Sequence, residues 1–202
     1  KANVVGGPAA PSQIKTLPSQ GLIAIDTRNN VGYVPIYTKD ASGNAQIAVV
    51  DLTVGTANPV IRTIGLSGAT TSVASNFSAD NGRVYVLAAG SGGKMYVYVI
   101  KSSDYTVEYK IEATGLSFSG SFGGIIVDPK RQQVVVAGTS SVGLLDISPA
   151  GTPVWKTGSV LNVRGTDSIS LNSETGLLFV SSDGSMMTID TTVTPMTSRD
   201  YF

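Results

Sequence analysis

Four segments of the chain repeat one layout, and this repeat limits the fold more than any other feature. They read "IAIDTRNNVGYVP", "ASNFSADNGRVYVLA", "IIVDPKRQQVVVA" and "ISLNSETGLLFVS". In each, an apolar run is closed by a polar residue: Asp26, Ser78, Asp128 or Asn172. Seven residues later an apolar side chain returns: Tyr33, Tyr85, Val135 or Phe179. The steps between copies are 52, 50 and 44 residues. Asp, Asn and Ser side chains accept hydrogen bonds from backbone N–H groups two residues on, and so start turns. Asn81-Gly82, Asp128-Pro129 and Gly176 add further turn chemistry. Each segment reads as a tight hairpin.

Two further landmarks keep the same period. Short apolar runs end near Asp51, Lys101, Asp146 and Asp190, at steps of 50, 45 and 44 residues. A fourth short run in each unit carries a basic residue: Arg62 in "VIRTIG", Lys110 in "VEYKIE", Lys156 in "PVWKTG" and Arg199 in "PMTSRDYF". β-branched and aromatic residues fill the runs, and Gly, Asn, Ser and Pro separate them. No window has a helical period. Each unit is therefore four strands in about 40 to 52 residues. A lone four-stranded sheet of this kind has two apolar faces to hide. Repeating it around an axis lets each sheet cover the next, which is the β-propeller solution. The basic residue marks the outermost strand, where charge discourages pairing with another chain. A sandwich would not need hairpin and third strand to recur together, and a solenoid period is shorter. The expected fold is all-β, with four four-stranded antiparallel blades at about 21–66, 67–116, 117–161 and 162–202. These form either a closed four-bladed ring or part of a larger one of about six to eight blades.

The strand and turn sequences resemble the YVTN-type family of β-propeller repeats. The second strands "GYVPIYT", "VYVLAAG", "VVVAGTS" and "LFVSSDG" and the third strands "VVDLT" and "LLDIS" carry the likeness, which runs from Gly21 to Phe202. The naming tetrad never occurs intact; Tyr33-Val34-Pro35-Ile36 and Tyr85-Val86-Leu87-Ala88 come nearest. The resemblance implies an extracellular or surface-layer type of binding propeller. The wider relatives it points to include lactonase-like and quinone- or metal-dependent enzymes, and no catalytic residue carries over.

Composition removes whole classes of function. The chain has no cysteine and no histidine. Disulfides, thiolate chemistry, Cys/His zinc sites and Ser-His-Asp machinery are thereby excluded. Fourteen basic and fourteen acidic residues cancel, so no cationic excess offers itself to a phosphate backbone, and a nucleic-acid partner is not expected. No apolar run approaches the roughly 18 residues of a membrane-spanning helix. A Ser/Thr/Gly-rich, cysteine-free chain that begins at Lys1 is expected to be extracytoplasmic: secreted, periplasmic or on the cell surface.

Residues 1–20 form a separate N-terminal segment. "QIKTL", at 13–17, parallels "VIRTI" and reads as an outer or ring-closing strand. Because "PMTSRDYF" already supplies the fourth outer strand, the sequence favours a fragment, or an open half-ring completed by another chain, over a closed ring.

Most aspartates fall to structural work: Asp26 and Asp128 at hairpin turns, Asp80 in "ADNG", and Asp51, Asp146 and Asp190 at third-strand ends. Ligands of propellers usually lie where second-to-third-strand loops meet blade-to-blade connections. There "LSFSGSFGG" places Phe118 and Phe122, and the next connection places Arg164 and Asp167, as candidate walls of a small-molecule pocket. Asp40 and Asn44 alternate oxygen donors as a calcium loop does, but lack its bidentate Glu. With Asp167 and Asp183 they form the alternative metal-ligand set. No catalytic constellation is found and no cofactor is expected beyond a weak calcium candidate. The chain is read first as a non-catalytic binding or scaffold propeller with a protein partner or self-association. A metal-assisted, lactonase-like hydrolase and a structural repeat of a cell-surface layer or filament are the alternatives.

Overall fold

The computed structural model describes residues 22–53, 59–78, 81–119, 124–148, 151–182 and 184–201. They form sixteen strands in four antiparallel sheets, each a simple meander. The first sheet comprises β1 (Ala24–Asp26), β2 (Val31–Lys39), β3 (Ala45–Asp51) and β4 (Val60–Gly65). The second has β5 (Ala69–Ser78), β6 (Arg83–Gly90), β7 (Met95–Lys101) and β8 (Thr106–Glu112). The third has β9 (Gly124–Asp128), β10 (Gln133–Ala137), β11 (Ser141–Asp146) and β12 (Val154–Asn162). The fourth has β13 (Ser168–Asn172), β14 (Leu177–Ser182), β15 (Ser185–Asp190) and β16 (Thr197–Tyr201). This is the blade repeat expected of a β-propeller, and among the described residues there is no α-helix. The strand proposed at 13–17 lies outside the described residues.

Register explains the recurrent aromatic. Ala24 lies opposite Tyr33, Tyr33 opposite Val49, and Val49 opposite Arg62. Directly opposed residues share a face, so the residue seven after the turn polar group always points to one side, here termed the front. Its sequence neighbours point to the back.

Fronts pack on backs. Tyr33, Ile47 and Val49 from the first front join Val84, Val86 and Ile100 from the second back in one buried cluster. Tyr85, Leu87 and Val97 from the second front meet Ile125, Val134 and Leu145 from the third back. Val135, Ala137 and Leu144 from the third front meet Leu178, Val180 and Ile189 from the fourth back. Each fully buried aliphatic or aromatic side chain contributes about 1.5–3 kcal/mol, so these three seams hold the fold together. The inner strands converge closely. A Cβ on Gly124 would lie 2.6 Å from the side chain of Ile169 on the next inner strand, which explains the glycine that opens β9.

The seams run from first to second, second to third and third to fourth sheet. No comparable packing joins the fourth sheet to the first among the described residues. The back of the first sheet is buried at its centre, at Ile36, Ala48 and Val50, and exposed at its inner edge, at Ile23 and Ile25.

Truncation at a seam should therefore be costly. Leu178 is fully buried in the third seam. Leu178→Ala is expected to lower unfolding free energy in urea by about 2–5 kcal/mol. Val154→Ala, on a side chain 60% exposed, should change it by no more than about 0.5 kcal/mol.

Candidate functional site

The sequence-derived candidates among the described residues lie in the β8–β9 and β12–β13 connections and in the β2–β3 loop. Phe118 is half-buried against the core between the second and third sheets. Its backbone N–H donates to the Gly93 carbonyl at 3.4 Å, so it closes a seam. Arg164 and Asp167 are exposed in the β12–β13 connection, where the Asp167 N–H donates to the Ser181 carbonyl at 2.8 Å. Phe122 and Asp183 lie outside the described residues. Of the proposed metal ligands, Asp40 and Asn44 do come together, but on each other. Asp40 Oδ1 accepts the Ser42 and Asn44 N–H groups at 2.9 Å each, and Oδ2 accepts Asn44 Nδ2 at 2.9 Å. Asn44 Oδ1 accepts the Gly68 N–H at 2.8 Å. These bonds, chiefly that from the Asn44 side chain, hold the Asp40 carboxyl below the ordinary aspartate range. The loop is a self-satisfied turn that ties the β2–β3 hairpin to the next connection.

The strand-end aspartates repeat one device. Asp51, Asp146 and Asp190 each accept the backbone N–H two residues on, from Thr53, Ser148 and Thr192. Asp146 and Asp190 also take the hydroxyl of that residue, at 2.7 and 2.6 Å. Those hydroxyl bonds, above all, lower both carboxyl pKa values.

Hairpin turns follow the expected pattern at two copies. Asp26 Oδ1 accepts the Arg28 and Asn29 N–H groups, and Asn172 Oδ1 those of Glu174 and Thr175. Asp128 departs from it. Pro129 offers no N–H, and the fully buried Asp128 carboxylate instead accepts Arg131 Nη1 at 3.1 Å and Gln133 Nε2 at 3.4 Å. Its Oδ1 has no partner among the described residues.

Arg131 is the centre of a polar clamp that sequence reasoning missed. Nη1 also donates to the Ser173 carbonyl at 2.7 Å, and Nη2 to that of Glu174 at 3.3 Å, both in the next hairpin turn. Lys130 pairs with Glu174 at 2.6 Å. Gln133 reaches Thr191, whose hydroxyl donates to the Gly176 carbonyl at 2.8 Å. Gly176, at φ +76°, leaves no room for a Cβ beside Arg131 and Thr192. This clamp borders a cleft of about 310 Å3 lined by Arg131, Gln133, Lys156, Thr191, Thr192 and Thr194, with Leu144 at its base. The cleft opens at the end of the sheets that carries the hairpin turns and the third-to-fourth-strand loops. That is the opposite rim from the one expected for a ligand. Its cations are already engaged, Arg131 as described and Lys156 with Asp146 at 3.6 Å.

The basic outer-strand residues likewise do more than guard an edge. Arg62 donates to the Asp104 carbonyl of the second blade at 3.2 Å. Lys110 lies 4.2 Å over the Tyr96 ring and shares the Ser67 carbonyl with the Tyr98 hydroxyl. Burial pushes the Tyr98 pKa up to about 12. Trp155 packs between blades and donates to the Thr114 carbonyl at 2.9 Å. Among the described residues no three His, Cys, Asp or Glu side chains gather as metal ligands.

Apolar side chains stand exposed on the first and fourth blades, although Ile36, Ala48 and Val50 on the first back are buried. On the first back face Ile23 and Ile25 are each 55% exposed and Leu52 is 38% exposed. At the matching positions of the third blade, Ile125, Val127 and Ile147 are buried. On the fourth front, Leu177 and Phe179 are half-buried and Met186 is 41% exposed. A shallow cleft of about 220 Å3 lies there, lined by Leu177, Thr188, Asp190, Thr197 and Arg199. Leu177 occupies the place of Gln133, Thr188 that of Leu144 and Arg199 that of Lys156. It is the counterpart, on the fourth blade, of the third-seam cleft.

No family model matches the chain, and no curated protein does. Solved structures do. A protein from Lactobacillus plantarum superposes with a TM-score of 0.68 at 15% identity, over 90% of this chain and 55% of that one. The hydrazine synthase of Kuenenia stuttgartiensis gives 0.59 at 15%, over 83% and 51%. A dihydro-heme d1 dehydrogenase gives 0.60 at 15%, over 90% and 36%. The likeness is one of fold, β-propeller-like in each case. The chain spans about half the length of the first two and about a third of the last.

Two measurements probe the polar rim. Arg131→Ala strands a buried carboxylate, and is expected to cost about 3–5 kcal/mol of stability; a loss under about 1 kcal/mol by urea titration would show that the clamp is dispensable. The Asp146 and Asp190 carboxyls have folded pKa values below the ordinary 3.8. Their contribution is therefore complete above that value and is lost as pH falls through the folded pKa. Urea midpoints should hold from neutrality to about pH 5 and then fall, and a variant carrying both Asp146→Asn and Asp190→Asn should fall less steeply.

Proposed function

We propose that this chain is a non-catalytic, extracytoplasmic β-propeller module of YVTN-type repeats, a binding or scaffold unit that meets another polypeptide at the exposed apolar positions of its first and fourth blades. The observation that carries this reading is the contrast between equivalent positions. Ile23 and Ile25 are 55% exposed where Ile125 and Val127 are buried beneath a neighbouring blade. Exposed apolar surface that repeats a buried pattern is the mark of an interface. Two further observations support it. The carboxylates described above are engaged in turns, loop caps and seam clamps. The chain also covers 55% and 51% of two β-propeller-like neighbours, which leaves room for further blades beside it. The cysteine-free, Ser/Thr/Gly-rich composition supports the extracytoplasmic placement.

A photo-reactive phenylalanine derivative placed at position 25, 186 or 157 tests the reading in cells that make the protein. Positions 25 and 186 lie on the end faces, whereas 157 is exposed on the outer strand β12. Polypeptide adducts are expected at 25 and 186 and not at 157. Absence of adducts at both end faces, or equal labelling at all three positions, would count against a polypeptide covering them.

A further inference from the structure

We infer that the cleft across the third seam is a binding site for a single uncharged pyranose, free or at the end of a glycan. The site goes beyond the polypeptide contacts proposed above and shares no residue with them.

Gln133 is the residue that points to it. In each blade the second strand opens opposite the turn polar group: Val31 faces Asp26, Arg83 faces Ser78 and Leu177 faces Asn172. The third blade places an amide there, Gln133 opposite Asp128. That side chain is 3% exposed, and a buried amide is costly unless its hydrogen bonds are made. They are made poorly. Nε2 has only long contacts, 3.4 Å to Asp128 Oδ2, 3.4 Å to the Thr191 hydroxyl and 3.5 Å to the Thr191 carbonyl. All three partners are acceptors, the hydroxyl because its own proton goes to the Gly176 carbonyl. The amide nitrogen therefore belongs on that side, and the carbonyl Oε1 is turned away from it. Oε1 accepts no hydrogen bond among the described residues, and Gln133 lines the cleft.

Other uncommitted groups surround the same space. Lys156 Nζ stands 3.6 Å from Asp146 Oδ2, beyond hydrogen-bond distance, so its ammonium protons remain to be donated. Arg131 commits three N–H groups, to Asp128, Ser173 and Glu174, of the five a guanidinium carries. The Thr194 hydroxyl is exposed and makes no hydrogen bond among the described residues. Leu144 supplies an apolar floor. Thr194 lies in the β15–β16 connection and Gln133 and Lys156 on the third sheet, so an occupant touches two blades at once.

Charge selects the class of ligand. Both cations of the cleft are balanced, Arg131 by the buried Asp128 and Lys156 by Asp146. An anion would draw Lys156 from Asp146 and then lie beside an unpaired carboxylate, whereas a cation would meet Lys156 and Arg131. A neutral molecule breaks no ion pair. Its polar groups must donate to Gln133 Oε1 and accept from Lys156, and a hydroxyl does both. Neighbouring hydroxyls on a ring with an apolar face match this wall and the Leu144 floor. The volume of about 310 Å3 has room for one such ring and falls at the small end of ligand pockets, about 300–1,000 Å3.

The test is a titration of the isotope-labelled chain followed by amide NMR. The probes are D-glucose, D-galactose, D-mannose and N-acetyl-D-glucosamine, with acetate and methylammonium at the same millimolar concentrations. At least one sugar is expected to shift the Gln133 side-chain amide and the Thr191 and Thr192 backbone amides saturably, and neither ion to do so. Methyl glycosides of that sugar then separate the two sources: undiminished binding of one anomer indicates the end of a glycan, and loss with both anomers the free sugar. Lys156→Met and Thr194→Val should each weaken binding by about three- to tenfold. Lys94→Met, on the opposite rim, should leave it unchanged. The unperturbed remainder of each spectrum reports that the variant is folded. Three results overturn the proposal: no saturable shift with any of the sugars, saturation by acetate at lower concentration than by every sugar, or affinity unchanged in both cleft variants. None of them bears on the polypeptide contacts, which are read by cross-linking at other positions.

Discussion

A four-stranded blade has two greasy faces and no means of hiding either by itself. Everything in this structure follows from solving that problem by front-to-back stacking. The contact is heterologous, because the face that covers is not the face that is covered. It therefore never terminates itself and must either close on a ring or end in exposed surface. Tyr33, Tyr85 and Val135 recur because every front needs one large side chain at the same height to fill the next back. Gly124 is required by the same convergence near the axis, where adjacent inner strands leave no space for a methyl group.

Many of the polar side-chain contacts lie at the rims, for a complementary reason. Strands satisfy one another's backbone groups, but turns do not, and a turn pressed between blades must find donors and acceptors locally. Short side chains meet this within a blade, as Asp26, Asp40, Asp146, Asn172 and Asp190 do. Long side chains meet it between blades: Arg131 on the Ser173 and Glu174 carbonyls, Arg62 on that of Asp104, Lys110 on that of Ser67. The rim contacts set the angular register of one blade on the next, while the apolar seams supply the bulk of the stabilisation.

This division explains which features were readable in advance. Blade number, strand order and outermost strands were legible because they depend on period, and period survives in sequence. The aspartate caps were legible because their partners lie two residues away. Arg131 was hidden, since its partners lie more than forty residues on. The one local clue was Pro129, which denies Asp128 the backbone donor its counterparts use and turns the carboxylate inward. Phe118, read as a candidate pocket wall, packs against the core between the second and third sheets, whereas Arg164 and Asp167, one connection further on, are exposed. The exposure of Ile25 was not legible in the pattern, because Ile25 and Val127 look alike until one is seen to be covered.

Stability along such an arc cannot be uniform. The second and third blades have a lid on both sides, and β6 and β10 are buried almost throughout. The fourth blade leaves Met186 exposed on its front, and the first blade leaves Ile23 and Ile25 exposed on its back, where Ile36, Ala48 and Val50 are buried. The first inner strand, β1, has only three residues, and Ile25 within it is largely exposed. Nearest-neighbour energetics then place the lowest local stability at the two ends. Whatever covers an end face binds the folded blade and not the frayed one, so it stabilises that blade by mass action. A ligand that recognises only the folded form of an end blade is thereby coupled to the folding of that blade.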